Sequence, residues 1–205
     1  MKLLKGELAA HWLHIAIKME RKKQNAIEEI LDIPKEVKVS LDSSLVIKGP
    51  KGELKRKFVT PNVKLRIEDN KIKISSLNNK RTEKKLLYTV KSHIKNMIEG
   101  VVEGYVYKLQ ICSLHFPMTV TVDKANGFIV IKNFIGESKE RKSKILPGVD
   151  VSIKGDIITV EGYDKESTGQ TAANIETATK IRGKDRRIFQ DGIYLTEKAG
   201  DLIGD

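Results

Sequence analysis

The chain has 205 residues, 38 of them Lys or Arg against 27 Asp or Glu, for a formal net charge of +11. An apolar fraction of 40% is enough for real hydrophobic cores and excludes a disordered tail, while the lone Cys112 excludes an intramolecular disulfide and a four-cysteine zinc site. No apolar run approaches the ~18 residues of a membrane span. Lys5 and Glu7 break what would be the apolar stretch of a signal peptide, so a basic protein of a reducing compartment is expected.

Taken in chain order, residues 1–35 read as an N-terminal helical extension. Leu4, Leu8, Trp12, Ile15 and Met19 form a stripe at helical spacing, Arg21-Lys22-Lys23 follow, and Pro34 closes the segment. Glu7, His11 and His14 share a face of that helix at i, i+4, i+7, but such a triplet is more often solvated than a zinc site.

Residues 36–102 read as a first α+β repeat. It carries the whole charge excess of the chain, since residues 37–98 hold 16 basic and 5 acidic side chains. Clustered Lys and Arg displace counterions from a phosphate backbone, whereas the bland account is a solvated, solubilising face. Leu45-Val46-Ile47-Lys48-Gly49, Val63-Lys64-Leu65-Arg66-Ile67 and Ile72-Lys73-Ile74 alternate or run apolar as strands do, with Glu68 to Lys71 at a reversal. Gly49-Pro50-Lys51-Gly52 has no helix to feed and reads as a tight hairpin turn with a projecting lysine. Leu86, Leu87, Val90, Ile94, Met97 and Ile98 make a helical stripe, with Lys80, Lys84, Lys91 and Lys95 assigned to the other side. Residues 99–117 connect onward, and Tyr105 to Ile111 are apolar enough to form a strand.

Residues 103–183 restate this pattern. Ile129-Val130-Ile131-Lys132-Asn133 echoes Leu45 to Gly49, Val149 to Ile153 echoes Val63 to Ile67 at 86 residues' distance, and Ile158-Thr159-Val160 echoes Ile72 to Ile74. Lys154-Gly155-Asp156 suits the corresponding reversal. Ser167-Thr168-Gly169-Gln170 has the form of a capping box, Ala172, Ile175, Ala178 and Ile181 make a narrow stripe, and Gly183 is the expected helix stop. The fold class is therefore α+β, two tandemly duplicated domains, each a small antiparallel sheet with one helix packed on a face. Residues 184–205 form a C-terminal segment and tail.

No phosphate loop, dinucleotide fingerprint, zinc-protease helix or nucleophile elbow occurs. His93 and His115 have no nearby nucleophile in the pattern, and Cys112 reads as core filler. The expectation is a protein that is not an enzyme and takes no cofactor or small-molecule substrate.

The motifs Leu31-Asp32-Ile33-Pro34, Ile47 to Leu54, His93 to Val101, His115-Phe116-Pro117, Lys132 to Glu137, Pro147-Gly148-Val149 and Lys184 to Tyr194 are similar to those of a known family. Together they resemble the universal sixth protein of the large ribosomal subunit, in its archaeal and eukaryotic form, which eukaryotic nomenclature calls protein nine. The resemblance runs from about Leu31 to Lys198; the residues ahead of Leu31 depart from it, and Thr168-Gly169-Gln170 resembles the bacterial form. It implies a duplicated α+β domain and a non-catalytic, cytoplasmic ribosomal protein. Its implied partners are large-subunit rRNA near the sarcin–ricin loop, neighbouring proteins of the stalk base, and translational GTPases nearby; no membrane is implied. It places the main rRNA grip in the second domain, although charge alone favours residues 37–98. The rRNA-binding residues expected on this basis are Lys132, Lys139, Arg141, Lys142, Lys180, Arg182, Lys184, Arg186, Arg187 and Tyr194; Phe189 and Tyr194 flank the Asp191-Gly192 turn, where such aromatics more often anchor a segment to its sheet than stack on a nucleotide. A non-ribosomal tandem-domain adaptor for RNA or protein is the alternative, but it needs stacking aromatics, and only 5% of residues are aromatic.

Overall fold

The computed structural model describes residues 27–203 apart from Pro61, Asp69, Leu77, Asn78 and Arg186. The expected N-terminal helix and its Glu7, His11 and His14 lie outside the described residues. The described chain divides into two compact units: residues up to Ile47 with Lys55–Lys95, and Lys48–Leu54 with Asn96 onward.

The first unit opens with β1 (Ile27–Asp32). This strand lies inside the span assigned above to a helical extension, which is a correction with a plain cause. Ile27, Glu29 and Leu31 turn one way and Glu28, Ile30 and Asp32 the other, the period of a strand, and β1 pairs along its whole length with β6 (Lys71–Ser76). Strand β5 (Val63–Glu68) pairs with the other edge of β6, giving the order β1-β6-β5. A second antiparallel layer is made by β2 (Lys38–Leu41), β3 (Leu45–Lys48) and β4 (Glu53–Arg56). Leu45, Ile47, Ile72, Ile74, Leu87, Val90 and Ile94 are buried. Helix α1 (Arg81–Val102) is tied to its sheet by Lys91, whose ammonium lies 2.7 Å from Glu29, and by buried Glu83, which accepts from Ser76 Oγ and Asn62 Nδ2 at 3.1 Å each. Two members of the predicted helical faces therefore change sides. Leu86 is 41% exposed, and Lys91 is committed to the sheet rather than to water.

The second unit contains β7 (Tyr105–Cys112), β8 (Thr119–Asp123), β9 (Phe128–Lys132), β10 (Arg141–Lys144), β11 (Val149–Lys154), β12 (Ile157–Gly162), α2 (Lys165–Ala178), β13 (Gly192–Lys198) and β14 (Asp201–Leu202). Its sheets run β10-β9-β8 and β11-β12-β7-β13-β14. Helix α2 lies against β10, β13, β7 and β12, and Leu109, Ile129, Ile131, Ile158, Val160, Ala172 and Ile175 form the core. The 49–52 turn also belongs to this unit. Gly49 N–H donates to Gly52 O (3.0 Å), and the Lys51 ammonium does not project but donates to the backbone oxygen of Glu103.

The duplication is visible in strand register. Val63, Leu65 and Ile67 face Ser76, Ile74 and Ile72; Val149, Val151 and Ile153 face Gly162, Val160 and Ile158. The order β1-β6-β5 returns as β7-β12-β11, and β2-β3-β4 returns as β8-β9-β10. Each repeat thus has two small antiparallel layers where one was expected, because the Leu45 and Ile129 strands pair with neighbours of their own. At the equivalent reversals Asn70 (φ 66°) and Gly155 (φ 58°) both take the left-handed conformation that the turn chemistry favours. Strands β13 and β14 have no counterpart among the described residues of the first unit, so residues 192–202, assigned to a tail, are part of a five-stranded sheet.

The start and end of α2 also correct the expectation. Its N-cap is Asp164, whose carboxylate accepts from Glu166 N–H and Ser167 N–H, while Gln170 bonds Asn174 instead of reaching back. The helix ends at Ala178 with Thr179 as C-cap; Gly183 does adopt a left-handed φ of 71°, but four residues later, and Ile181 packs from outside the helix.

Candidate nucleic-acid interface

Strand β9 ends in a 3-10 turn, Phe134–Gly136, entered through Asn133 (φ 57°) and containing Ile135 at φ 51°. A β-branched residue there is strained, and neighbouring contacts hold the turn in place. Asn133 Nδ2 donates to Pro117 O (2.9 Å) and Phe134 is fully buried. The turn delivers Glu137 to Arg141 at the head of β10. Arg141 Nε and Nη2 donate to the two Glu137 oxygens at 2.9 and 2.6 Å, Nη1 donates to Ala178 O at 2.9 Å, and the guanidinium carbon sits 4.2 Å from the Phe134 ring centroid. Its cation meets the carbonyl end of α2, where positive charge is favourable. The Glu137 carboxyl is held below its ordinary range, chiefly by the Arg141 hydrogen bonds against some burial. Arg141 is therefore spent inside the unit, as a rivet joining turn, strand and helix end.

Around that rivet Lys142, Lys180 and Arg182 line a groove of about 390 Å³ together with Arg141, Thr177 and Ala178. Lys142, Lys180 and Arg182 are exposed and form none of the ion pairs among the described residues. Two sequence-distant basic clusters, one on β10 and one after α2, thus meet in one place. Lys132 and Lys139 are exposed near the 133–140 turn; Lys132 Nζ is 2.8 Å from Glu140, so part of its charge is already balanced.

The described residues of the segment from Lys184 to Asp191 form no helix or strand, yet they are closely tied. Asp185 O accepts the N–H groups of Ile188 and Phe189, and its carboxylate accepts from Arg187 N–H (2.9 Å). Asp191 is 2% exposed; Oδ1 accepts from Leu114 N–H (2.7 Å) and His115 N–H (2.9 Å), and Oδ2 lies 2.6 Å from His115 Nδ1. Burial pushes the Asp191 carboxyl up, but the His115 and Leu114 donors outweigh it and hold it below its ordinary value. Phe189 stacks on His115 with centroids 5.0 Å apart and planes at 29°, and Lys184 Nζ lies 4.6 Å from the Phe189 centroid. Beyond the segment, Ile193 N–H donates to buried Thr179 Oγ1 (3.0 Å), and Tyr194 OH donates to Gln190 O (3.1 Å). The Tyr194 ring folds over Gly192, where an added Cβ would stand 3.2 Å from it. Arg187 is exposed; Arg186 lies outside the described residues.

Of the residues expected from sequence, Arg141, Lys142, Lys180 and Arg182 come together in the groove. Lys184 and Arg187 belong to the tied segment, Tyr194 on β13 bonds it at Gln190, and Lys132 and Lys139 stand apart near the turn. The sequence reading missed His115, Asp191 and Thr179. The first two lay within the quoted His115-Phe116-Pro117 and Lys184-to-Tyr194 motifs, which was their only signal, because their pairing spans 76 residues.

Fold and surface define a tandemly duplicated α+β protein whose second unit presents a rigidly mounted basic face. Among the described residues no group of His, Cys, Asp and Glu is arranged to hold a metal ion, and no helix is long and apolar enough to cross a membrane. The family described as Ribosomal protein L6 matches residues 33–104 and 116–192, one span for each repeat. The chain is 49% identical over 172 residues to the large ribosomal subunit protein uL6 of Staphylothermus marinus, covering 82% of this chain and 93% of that protein. It is 45% identical over 178 residues to the protein of that name from Methanococcus vannielii, covering 86% and 97%, and 47% identical over 176 residues to that of Methanothrix thermoacetophila, covering 84% and 99%. The chain belongs to the ribosomal protein L6 family.

Proposed function

We propose that this protein is a structural constituent of the large ribosomal subunit in the cytoplasm and performs no catalysis. It binds large-subunit rRNA through the second unit, near the sarcin–ricin loop and the stalk base, beside the proteins of that region and the docking site of translational GTPases. The observation that carries the RNA contact is the meeting of Lys142, Lys180 and Arg182 in one groove, with the Arg187 backbone tied to Asp185. Exposed cations on a rigid mount engage phosphates of a folded RNA by shape, since phosphate contacts position a protein without reading sequence. In this reading Lys132, Lys139, Lys184, Arg186 and Arg187 extend the contact, Tyr194 braces the segment, and Arg141 shapes the groove wall.

Sucrose-gradient sedimentation with large subunits tests this. The protein is expected to co-sediment with the large subunit and to be released progressively as salt rises. A chain that stays at the top of the gradient at low salt would refute the proposal.

A further inference from the structure

We infer that the His115–Asp191 pair is a clasp that preorganises Lys184, Asp185 and Arg187–Asp191 for RNA, so that binding depends on this buried carboxylate as well as on the exposed cations. The inference rests on the reading that the second unit binds rRNA. Its ground is the disproportion between the absence of helix and strand among the segment's described residues and the number of their ties. Asp191 accepts from two backbone N–H groups and one imidazole nitrogen, all on the loop between β7 and β8, while being 2% exposed. A buried carboxylate is tolerated only when its oxygens are satisfied in this way, and removing the charge leaves three donors facing a poorer acceptor.

The pair also aims neighbouring groups. Phe189 is stacked on the same imidazole, Lys184 sits on Phe189, and the Asp185 turn fixes the backbone of Arg187. A cationic coil without these ties would pay for its ordering when it met RNA, whereas a segment already ordered does not. His115 and Asp191 are thus positioning residues. Asp191, being negative, contributes nothing attractive to a polyanion itself.

That sign supplies the test. Asp191→Asn makes the protein more basic by one charge, so simple electrostatics predicts tighter binding to RNA. The clasp predicts weaker binding, by about tenfold, with the slope of log affinity against log salt unchanged, because the same phosphate contacts form after a costlier ordering step. The full-length chain and transcribed large-subunit rRNA are used at graded KCl and neutral pH. Amide exchange at Leu114 and His115 should accelerate in the variant. Should Asp191→Asn fail to fold, His115→Ala decides by the same measurements, since it leaves both backbone N–H bonds to Asp191 in place. Arg187→Ala serves as the contrasting variant, with its slope falling by about 0.7–0.9. Asp191→Asn and His115→Ala binding as tightly as the unaltered chain, with Arg187→Ala weakened, would overturn the clasp and leave the rRNA reading standing. Failure of the unaltered chain to bind rRNA at low salt would overturn both.

Discussion

Arg141 holds Glu137 by two guanidinium nitrogens, at 2.9 and 2.6 Å, while its third nitrogen reaches the last carbonyl of α2. A forked contact of this kind needs a planar guanidinium; the ammonium of lysine has three donors but on one compact nitrogen, which does not span both Glu137 oxygens and the Ala178 carbonyl. Arg141→Lys is expected to destabilise the protein by about 1–2 kcal/mol and Arg141→Ala by about 2–3 kcal/mol, read as a lower urea midpoint. A double-mutant cycle with Glu137→Ala should return a coupling of about 1 kcal/mol. Independent, additive losses would show that the fork is a surface pair of no consequence.

The groove cations make a different prediction. Lys142→Ala, Lys180→Ala and Arg182→Ala should each leave stability within about 0.5 kcal/mol of the unaltered chain, because these side chains are exposed. Each should lower the salt slope of rRNA binding by about 0.7–0.9. Nitrocellulose filter binding across a KCl series separates the two effects, and slopes that do not move would place the contact elsewhere.

Acid should loosen the second unit through two carboxylates. Asp191 and Glu137 both have folded-state pKa values below their ordinary ones, so the folded protein binds fewer protons than the unfolded chain. Their stabilisation is complete above the ordinary carboxylate range, about pH 4–4.5, and is lost as pH falls through the depressed values. Chemical denaturation from pH 6 to pH 2.5 should show that decline, and Glu137→Gln should make it shallower. An unchanged pH slope in that variant would count against the Arg141 pairing.

Helix α2 separates two accounts of its own start. Asp164→Ala should cost about 1–2 kcal/mol, since it removes the acceptor of two N-terminal N–H groups, and Gln170→Ala should cost less than about 0.5 kcal/mol. The reverse order in thermal denaturation would restore the Ser167–Gln170 capping box.

At the other end of that helix, Thr179→Val keeps the shape of a buried side chain but removes the acceptor for Ile193 N–H. The orphaned donor should cost about 1–3 kcal/mol. A variant with an unaltered melting temperature would mean that β13 is held by its ladder with β7 alone.

Much of this molecule is legible in its sequence alone. Alternation at Val63 to Ile67 and Val149 to Ile153 specified strands, and the recurrence of their spacing specified the duplication; both are periodicities a linear sequence carries intact. The same logic failed at Ile27 to Asp32, where a short alternating run was absorbed into a neighbouring helical stripe. It failed again at Ser167, where a motif of the right letters lay three residues inside the helix that Asp164 begins. Local patterns compete, and only packing decides among them.

The sequence by itself determined the repeat, the α+β class, the family and the inventory of basic residues, because each is written in order and spacing along the chain. Tertiary structure alone decided which cations are spent and which are free. Arg141 and Lys142 are adjacent in sequence and line the same groove, yet Arg141 is forked onto Glu137 and bonded to the end of α2, while Lys142 makes no ion pair among the described residues; which partners the fold brings within reach decides this, not position in the chain. Likewise His115 and Asp191 acquire a role only when β13 pairs with β7 and brings two distant loops within hydrogen-bonding range.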